Sequence, residues 1–505
     1  IPLRLVGSEM CIRDSSYTRL LKENLNIQVV YDWTASTSDY DEKMSLCIGS
    51  NTIPEIMNVN ATQYRALLKY DMIQPLDKYF DDYASDALKS YVKSGGEELQ
   101  KCITNEDGEL MAIPAPNLTA GGVNEMWIRQ DWLDALGLDV PRTWDELAEV
   151  AKAFVTRDPD GNGENDTIGI LGPGNSDHMN AVGGNQFGLD PLFSCFQSYP
   201  QYWLKSEDGS VEYGSIQPET KTALENISKL YADGVIDPET LVRSDSKEPL
   251  LAGKVGIFFG PWWCAYTFAD TTLSGSADWR AYFTPLSEDG KYYTHMAEPT
   301  TQYVVASKDC KNPEAAFKII NYIVANEQKW VEEGVTSTEM GTGDFYPLYN
   351  TYDNADEIEK SYEALTKYLA GDISMDDVDF STHKLLKNDM EAVTKLKKKP
   401  YDDFSLKYWN LDSDLAKTNL PRLVAIMVGD APLVNEEYVP VYNAYNGQTE
   451  TMEAKWANLK KMEEETFAKI ITGKADISEF DTFVKNWKSQ GGDQILKEIN
   501  DELSK

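Results

Sequence analysis

Apolar positions along this chain switch between a helical period and a strand period. "SYTRLLKENL" spaces its apolar residues three and four apart and predicts a helix. "IQVVYD", directly behind it, is a β-branched run that predicts a strand. "DEKMSLCIGS" followed by "EIMNV" repeats the pair, and "ALLKYDMIQPLDKYF" reads as a short helix and a loop. Helices alternating with short apolar strands predict an α/β protein with a largely parallel sheet.

The clearest helix signals lie further along. Thr143 and Glu146 stand at capping-box spacing behind Pro141, and Trp144, Leu147, Ala151, Phe154 and Val155 share the helical face that follows. Asn312 as N-cap and Pro313 at the first helical position open a second helix with Ala316, Phe317, Ile320 and Ile323 on its apolar side. The last third is mostly helical. One long helix ends at Gly473. Another is capped by Asp476 and Glu479, striped with Phe480, Phe483, Val484 and Trp487, and stopped at Gly491.

At 505 residues the chain is too long for one ordinary core, so two lobes are expected. The formal net charge of -36 argues against nucleic acid as a partner, because a polyanion requires a basic footprint. Six scattered cysteines without a C-x-x-C pair make neither a disulfide framework nor a zinc site, and read as small buried hydrophobes. "IPLRLVGSEMCIRDS" has no amphipathic pattern and looks like translated sequencing adapter. Residues 1–15 are therefore set aside as an artefactual leader, and the native protein is expected to begin earlier.

"DPDGNGENDTIG" is the sharpest motif. Asp158, Asp160, Asn162, Glu164 and Asp166 place oxygens at alternate positions, with Gly163 where an EF-type loop turns. A hard cation such as calcium wants many oxygens from one short loop, so a structural calcium site is expected there. Gly169 stands where such a loop usually carries its bidentate glutamate. Catalytic signals are missing: no nucleophile elbow, phosphate loop or dinucleotide fingerprint occurs, and the three histidines, His178, His295 and His383, fit no ligand pattern.

"WIRQDWLDALGLDVPRTWDELAEVAKAF", the acidic loop behind it, "LYADGVIDPE", "LLAGKVGIFFGPWW" and "VVASKDCKNPEAAFKIINYI" follow one another in an order that resembles extracellular solute-binding proteins of family 1, the ligand-capturing subunits of ABC importers. The tail from "AYNGQTETMEAKW" onward is similar to the long subgroup that includes alginate-oligosaccharide-binding and aldouronate-binding lipoproteins. The resemblance implies a type II periplasmic-binding-protein fold, with two discontinuous α/β lobes, a hinge, an interlobe cleft and a helical C-terminal region. Residues 16–125 and 303–360 would form the N-terminal lobe, lacking its first strand, and 126–302 and 361–505 the C-terminal lobe. Crossings are expected near Asn124 to Arg129, near Gln302 to Ala306 and around 346–370. The resemblance further implies a monomeric binding protein, exported and lipid-anchored in a Gram-positive bacterium or periplasmic in a Gram-negative one, with an ABC permease as partner and calcium at the acidic loop.

"GIFFGPWW" then acquires a meaning. Neighbouring side chains on an extended chain point to opposite faces, so one of Trp262 and Trp263 is expected in the core and the other against a sugar, whose C–H patches suit aromatic faces. Trp262 is slightly favoured for the sugar. Further ligand candidates are Tyr31, Asp32 and Trp33 at the end of one strand, and Asn58 and Asn60 at the end of the next. Asn124, Glu125, Trp127 and Arg129 stand at the first crossing, and Trp409 in a polar loop. The expected function is capture of an oligosaccharide by hinge closure, without chemistry. The sugar is either neutral or uronate-containing. The alternatives are a peptide or lipid cargo on the same fold, and a glycosidase or lyase with its acid and base hidden among the carboxylates.

Overall fold

Thr143 accepts from the Glu146 amide while the Glu146 carboxylate takes the Thr143 amide, so the predicted reciprocal cap opens the helix Trp144–Thr156. That helix buries Leu147, Val150, Ala151, Ala153 and Phe154, each large side chain contributing about 1.5–3 kcal/mol. The computed structural model describes residues 5–6, 16–35, 37–174, 186–273, 277–332, 348, 352–380, 383, 385–395 and 414–504. The chain divides into two units. The first is Ile1–Leu118 with Pro299–Ala355 and Ser381–Lys384, and the second is Thr119–Glu298 with Asp356–Phe380 and Leu385–Lys505. The chain thus changes unit after Leu118, Glu298, Ala355, Phe380 and Lys384.

In the first unit, Leu5–Val6 (β1) pairs in parallel with Thr34–Ala35 (β2). Residues set aside as leader therefore supply a strand partner to β2. The predicted strand "IQVVYD" is not built as one: only Val30 takes part in a bridge. A three-stranded sheet places Thr300–Ala306 (β12) between Ile56–Val59 (β3) and Ile113–Pro116 (β4), antiparallel to both. Tyr64 stacks on Tyr303 at 4.5 Å, and Leu67, Ile113, Phe317 and Ile320 are fully enclosed.

The second unit is built on a four-stranded sheet of Trp279–Tyr282 (β10), Glu125–Arg129 (β5), Val255–Gly260 (β9) and Ile168–Ile170 (β6), in that spatial order. β5 runs antiparallel to both neighbours, and only β6 and β9 are parallel. The expectation of a largely parallel sheet is thus corrected for the described residues. β5 and β12 enter their sheets soon after the chain changes unit, without the helical crossover that makes consecutive strands parallel. Ladders of Trp203–Lys205 (β7) with Val211–Tyr213 (β8), and of Tyr292–His295 (β11) with Tyr438–Val441 (β13), complete the unit.

The helices Glu450–Ile471, Glu479–Trp487 and Asp493–Leu503 pack against this core. Tyr213 stacks on Trp487 at 4.8 Å, and its hydroxyl and that of Ser215 each donate to the buried Glu463 carboxylate at 2.8 Å. Asp476 accepts from the Ser478 amide just ahead of the helix that begins at Glu479. Gly491, with φ of 142°, kinks the chain into the last helix rather than ending it. None of the five described cysteines is in a disulfide. No helix among the described residues is long and apolar enough to cross a membrane.

Candidate functional site

β5 carries three of the sequence candidates and Asn124 immediately precedes it, and the four fall into two kinds. Trp127 is fully buried, stacked 6.1 Å from Phe258, and its indole nitrogen donates to the Gly260 carbonyl at 3.2 Å. Arg129 is also interior. It pairs with Asp131, donates to the Gly253 carbonyl and lies over the Trp132 ring. Both side chains are engaged in holding the sheet.

The N-terminal end of β5 differs. Asn124 donates to Asp190 at 2.7 Å and its main-chain carbonyl accepts from the Tyr292 hydroxyl, but its side-chain oxygen has no donor. Glu125 has no exposed surface, and neither carboxylate oxygen receives a hydrogen bond. Burial pushes its carboxyl well above the usual range, with Asp430 and then Glu436 adding to the effect.

Across the ladder from Glu125 stands Gly260, where β9 ends. Pro261 follows, and then a 3₁₀ turn, Trp262–Cys264. The tryptophan pair therefore sits on a turn, and the alternation assumed for an extended chain does not apply. Trp262 is 5% exposed and its indole N–H has no acceptor, whereas Trp263 is half-buried. Trp262 meets the edge of Tyr266 at 6.5 Å, and Tyr266 is 48% exposed. A single wide turn, Ala425–Gly429, packs onto Trp262–Cys264 from the C-terminal part of the chain. Gly429 is required there: a Cβ would fall 2.7 Å from the Trp262 carbonyl and 3.0 Å from the Trp127 ring. The next residue, Asp430, is buried with both oxygens lacking a donor. Burial, then Glu359 and Glu363, hold its carboxyl well above its ordinary value, and Glu359 is itself pushed up to about 7, chiefly by burial.

Asp430 was not anticipated from the sequence. Its signal is a lone acid closing the apolar run "LVAIMVGD". Asp190 and His295 were not foreseen here either. His295 is enclosed between the edges of Tyr199 and Tyr202 with its Nδ1 3.8 Å from Asp190. Burial lowers the imidazole to about 3 and raises Asp190 to about 7.

The remaining candidates lie elsewhere. In the first unit Tyr31 is buried with its hydroxyl unpartnered, Asp32 is exposed, and Trp33 leans on Tyr40 with Lys43 above its ring. The Asn58 carbonyl accepts from Tyr40, and Asn60 forms the capping box of Ala61–Lys69 with Gln63 while donating to Asp41. Trp409 and His178 fall outside the described residues.

The acidic loop follows the helix Trp144–Thr156 and is largely exposed. The Asn162 side chain donates to Asp160 and Asp166 and accepts from the Glu164 amide. Asp158 takes the amides of Asn162 and of Gly163, whose φ is 82°. Lys254 reaches Asp166 at 2.8 Å and, with Asn162, holds that carboxyl below its usual range. Among the described residues no group of three or more His, Cys, Asp or Glu side chains is placed to hold a metal ion. The carboxylates instead turn to the loop's own N–H groups and to Lys254.

The sequence profile of the bacterial extracellular solute-binding proteins matches residues 13–330. The chain belongs to that family. This solute-binding protein is 24% identical over 472 residues to a polygalacturonan/rhamnogalacturonan-binding protein of Bacillus subtilis, covering 91% of this chain and 82% of that one. It is 30% identical over 246 residues to FusA, a fructooligosaccharide ABC transporter substrate-binding protein of Streptococcus pneumoniae. That match covers 45% of this chain and 43% of the relative, less than half its length. A solved HMO-binding, ABC-transporter-associated solute-binding protein from Bifidobacterium longum infantis superposes with a TM-score of 0.59 at 18% identity, over 98% of this chain and 97% of that one. An EF-hand mutant of FusA, solved with fructo-nystose, gives 0.54 at 17% identity, over 100% and 99%. At these identities the likeness is one of fold, the two-lobed α/β fold of solute-binding proteins.

Proposed function

We propose that this chain is the substrate-binding component of an ABC importer, that its cargo is an oligosaccharide, and that binding is accompanied by hinge closure without chemistry. The observation that carries the reading is the set of buried, unpartnered polar groups beside aromatic rings in the second unit: Glu125, Asp430, the Asn124 side-chain oxygen and the Trp262 indole N–H. Buried polar atoms nearly always have partners. A sugar hydroxyl both donates and accepts, so one ring edge can satisfy this mixed set while its C–H face lies on an aromatic. Trp263, Tyr31, Asp32, Trp33, Asn58, Asn60 and Trp409 remain ligand candidates on this reading. Trp127 and Arg129 act as supports of the strand.

The proposal extends to calcium at Asp158, Asp160, Asn162, Glu164 and Asp166, where the oxygen-rich donor set suits a hard cation. The metal would neutralise and fix the loop, taking the place of the internal N–H donors and of Lys254. An ABC permease as partner, export with a lipid anchor and a monomeric state complete the reading. The test is thermal unfolding with a panel of oligosaccharides in calcium buffer, followed by recovery of the bound sugar. One sugar class at about 100 times its Kd adds roughly 2.7 kcal/mol and is recovered uncleaved. A cooperatively folded sample indifferent to every sugar refutes the assignment, and shortened products establish an enzyme instead.

A further inference from the structure

The charge around Glu125 decides between the two sugar classes. The acids whose fields act on Glu125 and Asp430 come from several elements: Glu436, behind the short helix Ala431–Asn435, and Glu359 and Glu363 on the helix Glu357–Ala370. Among the described residues, three cations of these surroundings are already bound. Arg142 pairs with Glu436 at 2.8 Å, Lys360 with Glu363 at 3.2 Å, and Arg422 with Asp389 at 2.5 Å. Lys247, whose field reaches Cys264, is exposed. Arg129, the cation the sequence offered to a uronate, is committed to Asp131. Within the described residues of this unit, no ion pair joins a cation to Glu125 or Asp430.

A uronate brings a carboxylate that wants a guanidinium or ammonium. Here it would meet buried carboxyl groups. Two side chains at right angles to this logic reinforce it: the unpartnered Trp262 N–H is a neutral donor, and the unpartnered Asn124 oxygen a neutral acceptor. The groups left open are thus acceptors in the main, matched to hydroxyl donors.

We propose that the Glu125–Asp430 site selects a neutral oligosaccharide, whose hydroxyls donate to these two carboxyl groups, and rejects uronates of the same size. This rests on the oligosaccharide reading above and narrows it. It also separates this chain from its polygalacturonan/rhamnogalacturonan-binding relative, whose named cargo includes a polyuronate.

The experiment is calorimetric titration of the full chain with kestose, nystose, xylotetraose, a glucosamine trimer, trigalacturonate and the trimethyl ester of trigalacturonate, at low and at moderate salt. The expected result is that a neutral sugar binds and trigalacturonate is weaker by about 100-fold or more, as burying a carboxylate without a partner cation requires. The ester is expected to recover part of the loss. Glu125→Gln and Asp430→Asn are expected to narrow the gap between ester and acid. If both variants fail to fold, the salt series on the parent chain still decides, since screening would favour the acid over its ester. Trigalacturonate binding as tightly as the best neutral sugar overturns the proposal while leaving the oligosaccharide reading intact, and so does preference for the glucosamine trimer. Silence with every sugar overturns the reading and the proposal with it.

Discussion

The acidic loop at 158–166 and the Glu125–Asp430 site both crowd carboxyl groups, yet they are opposites. In the loop every carboxylate is at the surface or half-exposed, and Asp158 and Asp166 have donors from backbone amides, Asn162 or Lys254. Glu125 and Asp430 are enclosed, and their carboxyl oxygens have none. Water and local donors keep the first set charged, which suits exchange of those donors for a metal ion. Burial among like charges drives the second set towards the neutral form. Residue type alone therefore does not say what a carboxyl cluster binds; the donors already present do.

The comparison can be broken most forcefully at the support of the buried set. Trp127→Ala removes a fully enclosed ring stacked on Phe258 and is expected to lower stability by about 3–5 kcal/mol, read by urea denaturation. No single change in the exposed loop should approach that. Next comes Gly429→Ala, which drives a methyl into the Trp262 backbone. A loss of about 1–3 kcal/mol is expected, together with altered tryptophan fluorescence; unchanged stability would show that the turn yields freely.

The pH response sharpens the contrast. Folded-state carboxyls raised above their unfolded values stabilise the fold while protonated, and that stability is lost as pH rises from the ordinary carboxylate range through the raised one. The parent is thus expected to lose midpoint as pH rises above the ordinary carboxylate range of about pH 4. The double variant Glu125→Gln with Asp430→Asn should flatten that slope and be the more stable protein at the alkaline end. A steeper slope in the variant would refute the protonation argument. The smallest effect belongs to Lys254→Met, whose partner is exposed to solvent. Without metal its midpoint should hardly move. With calcium it should rise at lower metal concentration than in the parent, since the ion no longer competes with an ammonium group.

Local features were legible in the sequence, and long-range ones were not. The Thr143–Glu146 cap and the stripe behind it depend on spacing alone and appear as expected. Asn60, read as a ligand candidate at a strand end, also caps the next helix: the same side-chain oxygen suits both tasks, and sequence does not rank them. Trp127 and Arg129 carry chemistry that binds sugars, but both neighbours of β5 enclose them. Asp430 escaped notice because its relation to Glu125 exists only once the turn Ala425–Gly429 has docked on Trp262. The sheet direction was misread because strand alternation does not reveal where the chain changes unit.

β9 joins the two acidic regions. Lys254, bonded to Asp166, immediately precedes it, and Trp262 stands just beyond its end. The strand is bonded along both edges, to β5 on one side and β6 on the other, and a ribbon held that way resists stretching. Loop and tryptophan turn are the two ends of one tie-rod. If the loop takes up an ion as proposed, the indole at the far end is a built-in optical gauge, and a change in the emission of this protein is the expected sign of it, without attaching any dye.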